Sequence, residues 1–284
     1  MSEELNISLV QYDIAWEDPE ANYERVEKLI LERELRSDII VLPEMFNTGF
    51  TMEPAKIVDE VVCSRALDKM KAWAEKTGAV IAGSIAFPES GRFYNRFVAI
   101  FPSGKMVHYD KRHLFRMGDE HKTYSPGFGQ SIFELKGWRI APFICYDLRF
   151  PVWNRNVNNS YDLALYSANW PENRKSVWFT LLNARAIENQ CYVAGVNRIG
   201  MDPACTYPGG SILIDYKGNV LSEASSSDEG LLEQTFSLES LRRFREKFPA
   251  WMDADPGAER GRGRRDGYPE GDGEGRAEIR RCRG

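Results

Sequence analysis

The sequence is poor in metal ligands: it has three histidines, His108, His113 and His121, and no two cysteines at Cys-x-x-Cys spacing. That scarcity argues against a histidine-rich metal centre and against a zinc or dithiol motif. Five cysteines, at positions 63, 145, 191, 205 and 282, give an odd count with no pairing pattern, so free thiols in a reducing compartment are expected. No apolar run approaches the roughly 18–20 residues that a membrane-spanning helix needs. The opening Met-Ser-Glu-Glu-Leu-Asn shows no basic stretch followed by an apolar one, hence no visible secretory signal. A soluble cytoplasmic protein is expected. Surplus positive charge is missing as well, and the net charge of −5 speaks against nucleic acid or an anionic membrane as partner.

Apolar residues are plentiful: they make up 43% of 284 residues, enough for one large core or two modest ones. Residues 5–12 mix polar and apolar side chains, as a strand near a sheet edge or end would. Tyr23, Val26, Leu29 and Ile30 recur at helical spacing, and Leu67, Met70, Trp73 and Ala74 form a second stripe that stops at Gly78. The run from Asp38 to Leu42 is β-branched and halted by Pro43. Residues 79–87, 138–145, 162–167, 191–196 and 211–215 also read as strands. Residues 95–111 form a hairpin turning at Pro102-Ser-Gly104, and a second hairpin turns at 216–219. A long helix is expected over 174–190 and an amphipathic one near 238–247. Roughly ten strands alternating with four helices predict a layered α/β domain whose helices cover its sheets.

The composition changes after Asp255. Residues 256–284 hold eight glycines and eight arginines, with Ile279 the sole large aliphatic residue. Such a segment cannot bury enough apolar surface to offset its ordering entropy. The expected organisation is one domain over residues 1–255 and a disordered Gly/Arg-rich tail over 256–284.

Three reactive side chains share one kind of position. Glu44, Lys111 and Cys145 each stand at the carboxyl end of a predicted strand, where layered α/β proteins gather ligands. Their chemistry is complementary. A thiol attacks as thiolate, and a nearby ammonium such as Lys111 lowers its pKa and stabilises an oxyanion. A carboxylate such as Glu44 can take the thiol proton, pass it to departing ammonia and then activate water. The backbone N–H of Tyr146 would be a second oxyanion donor. Taken singly, each residue has a plainer reading: a buried small thiol, or a charge at the point where a strand reaches solvent.

The surrounding segments sharpen this. Leu42-Pro-Glu44-Met-Phe-Asn-Thr-Gly-Phe50, Tyr109-Asp-Lys111-Arg-His-Leu-Phe115 and Ile144-Cys145-Tyr-Asp-Leu-Arg149-Phe-Pro-Val-Trp153 resemble the three signature segments of the nitrilase superfamily of carbon–nitrogen hydrolases. Ser167-Ala-Asn-Trp-Pro171, Asn183-Ala-Arg-Ala-Ile-Glu-Asn-Gln190 and Gly195-Val-Asn-Arg-Ile-Gly200 agree with it too, and the resemblance spans about residues 5–255. Within the superfamily, the segments around Cys145 and Asn169 are most similar to bacterial YafV-type omega-amidases.

The resemblance implies a four-layer αββα sandwich that commonly pairs into a homodimer, a Glu-Lys-Cys triad and no cofactor. By position Glu44 becomes the general base, Lys111 the oxyanion stabiliser and Cys145 the nucleophile. A second supporting glutamate corresponds to Glu120, with Asp119 beside it as the other candidate. Arg149, four residues past Cys145, could grip a substrate carboxylate bidentately or pair with Asp147. Asn169 and Trp170 would line the same pocket. Arg185 and Glu188, three apart on a helix, are expected to pair beneath the site, and His113 to pack or hydrogen-bond rather than react.

The expected reaction is hydrolysis of the terminal amide of a 2-oxo dicarboxylic acid monoamide through a cysteine thioester. The same triad would serve a nitrilase, a carbamoylase or a deaminated-glutathione amidase. A thiol redox sensor on the same fold is the alternative outside catalysis.

Overall fold

The computed structural model describes residues 3–226 and 228–254, so the tail expected over 256–284, with Cys282, lies outside the described residues. The strands are β1 (Glu4–Gln11), β2 (Ile39–Val41), β3 (Val80–Glu89), β4 (Arg92–Ile100), β5 (Met106–Asp110), β6 (Phe133–Leu135), β7 (Trp138–Ile144), β8 (Leu163–Ala168) and β9 (Tyr192–Asn197). They continue with β10 (Ile199–Met201), β11 (Thr206–Pro208), β12 (Ile212–Ile214), β13 (Val220–Glu223) and β14 (Gly230–Ser237). The helices are α1 (Pro19–Leu31), α2 (Pro54–Ile57), α3 (Glu60–Thr77), α4 (Glu120–Thr123), α5 (Pro151–Asn154), α6 (Lys175–Asn189) and α7 (Leu238–Lys247).

Two six-stranded sheets carry the fold, ordered β14-β1-β2-β3-β4-β5 and β13-β12-β9-β8-β7-β6. Each has three parallel strands at its centre, β1-β2-β3 or β7-β8-β9, with antiparallel flanks. Side chains alternate across a strand, and here both faces of the central strands are apolar. Leu5, Ile7, Leu9, Ile39 and Val41 meet Ile140, Leu163, Leu165 and Ala194 in a core between the sheets. The opposite face of the first sheet, with Val10, Ile40 and Ile81, packs on Tyr23 and Val26 of α1 and Met70 and Trp73 of α3. Ala164, Tyr166 and Val193 on the outer face of the second sheet pack on Trp178 and Leu182 of α6. Three cores between four layers make the αββα sandwich expected from the sequence.

The helix ends follow their sequence signals. Asp18 caps α1 by accepting from Ala21 N–H, Asp59 caps α3 from Val62 N–H, and Gly78 ends α3 at φ 69°. One expectation is met closely and one needs correction. Residues 5–12 lie near a sheet edge, as β1 is second in its sheet: the edge strand β14 pairs antiparallel along all of β1, and the polar residues of β1 have partners. Asn6 Oδ1 accepts from Thr235 Oγ1 at 2.7 Å, and Ser8 meets Ser37 at 2.5 Å. The strands, however, outnumber the estimate. Most of the extra ones are three or four residues long, and β14 escaped notice because Glu233, Gln234 and Thr235 interrupt its apolar pattern. Among the described residues, no helix is long and apolar enough to cross a membrane.

Candidate active site

The parallel centres of the two sheets end on the same side, and there the chain turns sharply. After β2, Leu42 N–H still bonds Ala82 O at 2.7 Å; Pro43 then removes a ladder donor, and Glu44 leaves the sheet. Met45 next to it has φ 45° and donates its N–H to Ser84 Oγ at 2.9 Å. Lys111 follows β5, and its N–H bonds Asn95 O at 2.9 Å. Cys145 follows β7 at φ 43°, the first residue of a 3-10 turn over Cys145–Arg149. A non-glycine residue in this region costs roughly 1–3 kcal/mol and persists only where its surroundings enforce it. Here the Asp147 carboxylate accepts Ile144 N–H at 3.1 Å, and Arg185 of α6 donates to Leu148 O at 2.7 Å.

These turns bring Glu44, Lys111 and Glu120 into contact. Lys111 Nζ donates to Glu44 Oε1 at 2.8 Å and to Glu120 Oε1 and Oε2 at 3.0 and 2.9 Å. All three side chains are buried. Asn95 Nδ2 spans both carboxylates, 2.8 Å from Glu44 Oε1 and 3.0 Å from Glu120 Oε1. Glu44 Oε2 accepts Asn169 N–H at 2.9 Å, and Glu120 Oε2 accepts Phe115 N–H at 2.6 Å. Asp119, the other candidate, is exposed and pairs with Lys122 at 3.0 Å. The Cys145 thiol faces the Asn169 carbonyl at 3.9 Å beside Glu44 and Lys111.

Electrostatics here run against one expectation. Burial alone would lower the Lys111 pKa, but the carboxylates of Glu120 and Glu44 outweigh it and keep the ammonium charged. Burial raises the Glu120 carboxyl, against the pull of Lys111. For Cys145, burial comes first and the Glu44 carboxylate second, and together they push the thiol well above its ordinary value despite Lys111. Lys111 pulls the thiol down, but burial first and the Glu44 carboxylate second outweigh it.

The Cys145 thiol opens into a cavity of about 520 Å³. Tyr146 and Arg149, from the turn after the cysteine, line it together with Asn169 and Trp170 from the end of β8. The Arg149 guanidinium lies 5.4 Å from the centre of the Trp170 ring. The alternative partner, Asp147, is fully engaged elsewhere: it accepts from Tyr109 OH, His113 N–H, His113 Nδ1 and Ile144 N–H at 2.8 to 3.1 Å. Asn169 lines the cavity, but its donors are committed to Glu44: N–H to the carboxylate and Nδ2 to the backbone oxygen at 2.8 Å. Arg185 and Glu188 pair at 2.8 Å, and Arg185 supports the Cys145 turn from below. Among the described residues, no cluster of three His, Cys, Asp or Glu side chains is arranged to hold a metal ion.

Sequence reasoning missed Asn95 and the linkage through Asp147. Asn95 left one clue, a polar residue in a strand that turns apolar from Phe97 onwards. Asp147 was considered only as a partner for Arg149.

Comparison with known proteins points the same way. Residues 6–246 match the carbon-nitrogen hydrolase family. The chain is 47% identical over 252 residues to the omega-amidase YafV of Escherichia coli K12, covering 88% of this chain and 97% of that one. It is 35% identical over 250 residues to the 2-oxoglutaramate amidase of Bacillus subtilis, covering 87% and 96%. A CN-hydrolase superfamily protein from Xanthomonas campestris, solved with an arsenic adduct in its active site, superposes with a TM-score of 0.86 at 40% identity, covering 89% of this chain and 97% of that one. The chain belongs to the carbon-nitrogen hydrolase family.

Proposed function

We propose that this protein is an omega-amidase, releasing ammonia from the terminal amide of 2-oxo dicarboxylic acid monoamides such as 2-oxoglutaramate and 2-oxosuccinamate. The observation that carries the reading is one cavity that joins the Cys145 thiol and the Glu44–Lys111 pair to the Arg149 guanidinium. The 47% identity to an omega-amidase and 35% identity to a 2-oxoglutaramate amidase support it.

In this reading Cys145 waits as a thiol, and Glu44 takes its proton as the sulfur attacks the amide carbon. The carbonyl oxygen becomes an oxyanion, met by the Lys111 ammonium and by Tyr146 N–H, which the first turn of a helix leaves without an intrahelical acceptor. Glu44 gives the proton to the amide nitrogen, the C–N bond breaks, and ammonia leaves a thioester on Cys145. Glu44 then draws a proton from water; hydroxide cleaves the thioester and the sulfur recovers its proton. Glu120 and Asn95 keep Lys111 and Glu44 aligned, while Arg149 takes the distant carboxylate.

A raised thiol pKa favours this reading over a redox sensor, which needs an exposed thiolate. The test is ammonia release from a panel of amides and nitriles. Monoamides of 2-oxo dicarboxylic acids should be the best substrates, and Cys145→Ala should abolish the activity. Full activity in that variant, or a preference for nitriles, would end the proposal.

The reading includes a homodimer, a cytoplasmic location and a hydrolase domain ending at residue 255. Sedimentation of the full chain against one ending at Asp255 tests the first and last; equal masses, each twice one chain, and equal activities are expected.

A further inference from the structure

Besides Arg149, the cavity wall carries a charge that the reaction as described does not use. Arg174 lies between Pro171 and α6, half-buried, and its guanidinium stands 5.0 Å from the centre of the Phe115 ring. Trp170 links the two arginines: its ring carries Arg149, and its indole N–H donates to the Arg174 carbonyl at 2.8 Å. Phe115 in turn reaches the reacting groups through its N–H, which bonds Glu120 at 2.6 Å. Both guanidinium groups are thus mounted on aromatic faces whose own positions are fixed.

Every carboxylate lining this cavity already has a donor. Glu17 accepts from Thr51 Oγ1 at 2.6 Å, Glu53 pairs with Lys56 at 2.7 Å, and Glu44 pairs with Lys111. Asp202 accepts from Tyr207 OH at 2.6 Å and from two backbone N–H groups at 2.7 Å. Among the described residues, Arg149 and Arg174 make no ion pair and no side-chain hydrogen bond. The uncommitted charge of the cavity is therefore positive and sits on two planar forks. A guanidinium fork binds coplanar oxygens two at a time. A 2-oxo carboxylate offers three nearly coplanar oxygens, more than one fork can satisfy. An ammonium group in place of the 2-oxo oxygen would meet two cations.

We infer that Arg174 is a specificity-determining residue that closes with Arg149 on the 2-oxo carboxylate end of the substrate, selecting 2-oxo acids over 2-amino acids. This rests on the omega-amidase reading and assigns the discrimination to a residue outside the triad and the turn that follows Cys145.

The experiment compares kcat and KM of the full-length wild type, Arg174→Gln and Arg174→Lys on 2-oxoglutaramate, glutamine and pentanamide. A charge-assisted hydrogen bond lost at a binding site corresponds to roughly tenfold to hundredfold in affinity. Arg174→Gln should raise KM for 2-oxoglutaramate by that factor, chiefly in KM rather than kcat, and reduce its preference over both other amides. Arg174→Lys keeps the charge without the fork and should fall between. If the wild type shows no preference for 2-oxoglutaramate over pentanamide, the omega-amidase reading itself fails. If it does show the preference and Arg174→Gln leaves it intact, or slows all three amides equally, the clamp is overturned while the reading stands.

Discussion

At the residue scale, the arrangement around Cys145 separates two ways of making a nucleophile. A thiolate made in advance requires net positive surroundings. This site offers the opposite, one ammonium against the carboxylates of Glu44 and Glu120, and in the proposed reaction the proton leaves as the bond forms. The consequence is testable in Glu44→Gln. Removing that negative charge lowers the thiol pKa, so alkylation of Cys145 by iodoacetamide at neutral pH should accelerate and its pH midpoint should move down. Amide turnover should move the other way, by roughly 10²–10⁴, the usual contribution of a general base. Reactivity and turnover falling together would instead mean that Glu44 only holds the site in shape. The sequence made the three reactive residues legible because each ends a strand and sits within its own motif. It could not yield the sign of the thiol shift, which depends first on burial of the thiol and then on the Glu44 carboxylate beside it, both properties of the folded site.

At the scale of elements, the site depends on two turns from different sheets being tied together. Tyr109 at the end of β5 and His113 just beyond Lys111 both bond Asp147, which also receives the N–H of Ile144 immediately before Cys145. A carboxylate offers two oxygens with about four lone-pair sites, and all four donors are satisfied; the His113 contact requires Nδ1 to carry its proton. Asparagine would replace one oxygen with a donor and leave two of these partners facing N–H. Each unsatisfied buried group costs roughly 1–3 kcal/mol. Asp147→Asn should therefore lower kcat by at least about tenfold with little change in KM, since misplacing reacting groups acts on the chemical step. Hydrogen exchange should quicken in residues 109–115 and 144–150 together. Faster exchange confined to the Cys145 turn would show that Asp147 does not join the two segments. Little of this was legible in the chain. Asp147 lies two residues from Arg149 and invites a local pairing, whereas two of its partners, Tyr109 and His113, are more than thirty residues away. Similarly, β14 was hidden because its exposed polar face outweighs its apolar one.

At the scale of the molecule, a layered α/β domain was legible because continuous apolar runs such as Ile39–Leu42 can only be buried on both faces, whereas the four-layer αββα order came from the family resemblance of the signature segments. What closes the sandwich near its carboxyl end was less visible. Leu238 and Leu241 of α7 complete the core between the sheets, and Arg245 reaches Asp162, just before β8 of the second sheet, at 2.6 Å. Arg245 also donates to the backbone oxygens of Tyr161 and Gln190 at 2.8 and 2.9 Å, while Arg139 holds the other side of Asp162. Burial tends to raise the Asp162 pKa, but Arg139 and Arg245 overcome it and hold it below the ordinary aspartate value. A carboxylate depressed in the folded state contributes stability that is complete above its unfolded pKa of about 3.9 and disappears as pH falls through the folded value. Arg245→Met removes one cation from Asp162 and leaves the Gln190 carbonyl without its donor, while Asn156 still donates to the Tyr161 carbonyl and Arg139 to both Asp162 oxygens. Removing one member of a buried pair costs about 3–5 kcal/mol, and Arg139, which stays, sets the expected loss near the lower end. Urea unfolding at pH 7 should show that loss, and the gap between wild type and variant should narrow as pH drops below about 4, where Asp162 takes up its proton. A gap that stayed constant through this range would mean that Arg245 stabilises α7 by packing along its aliphatic stem rather than through the charge it brings to Asp162.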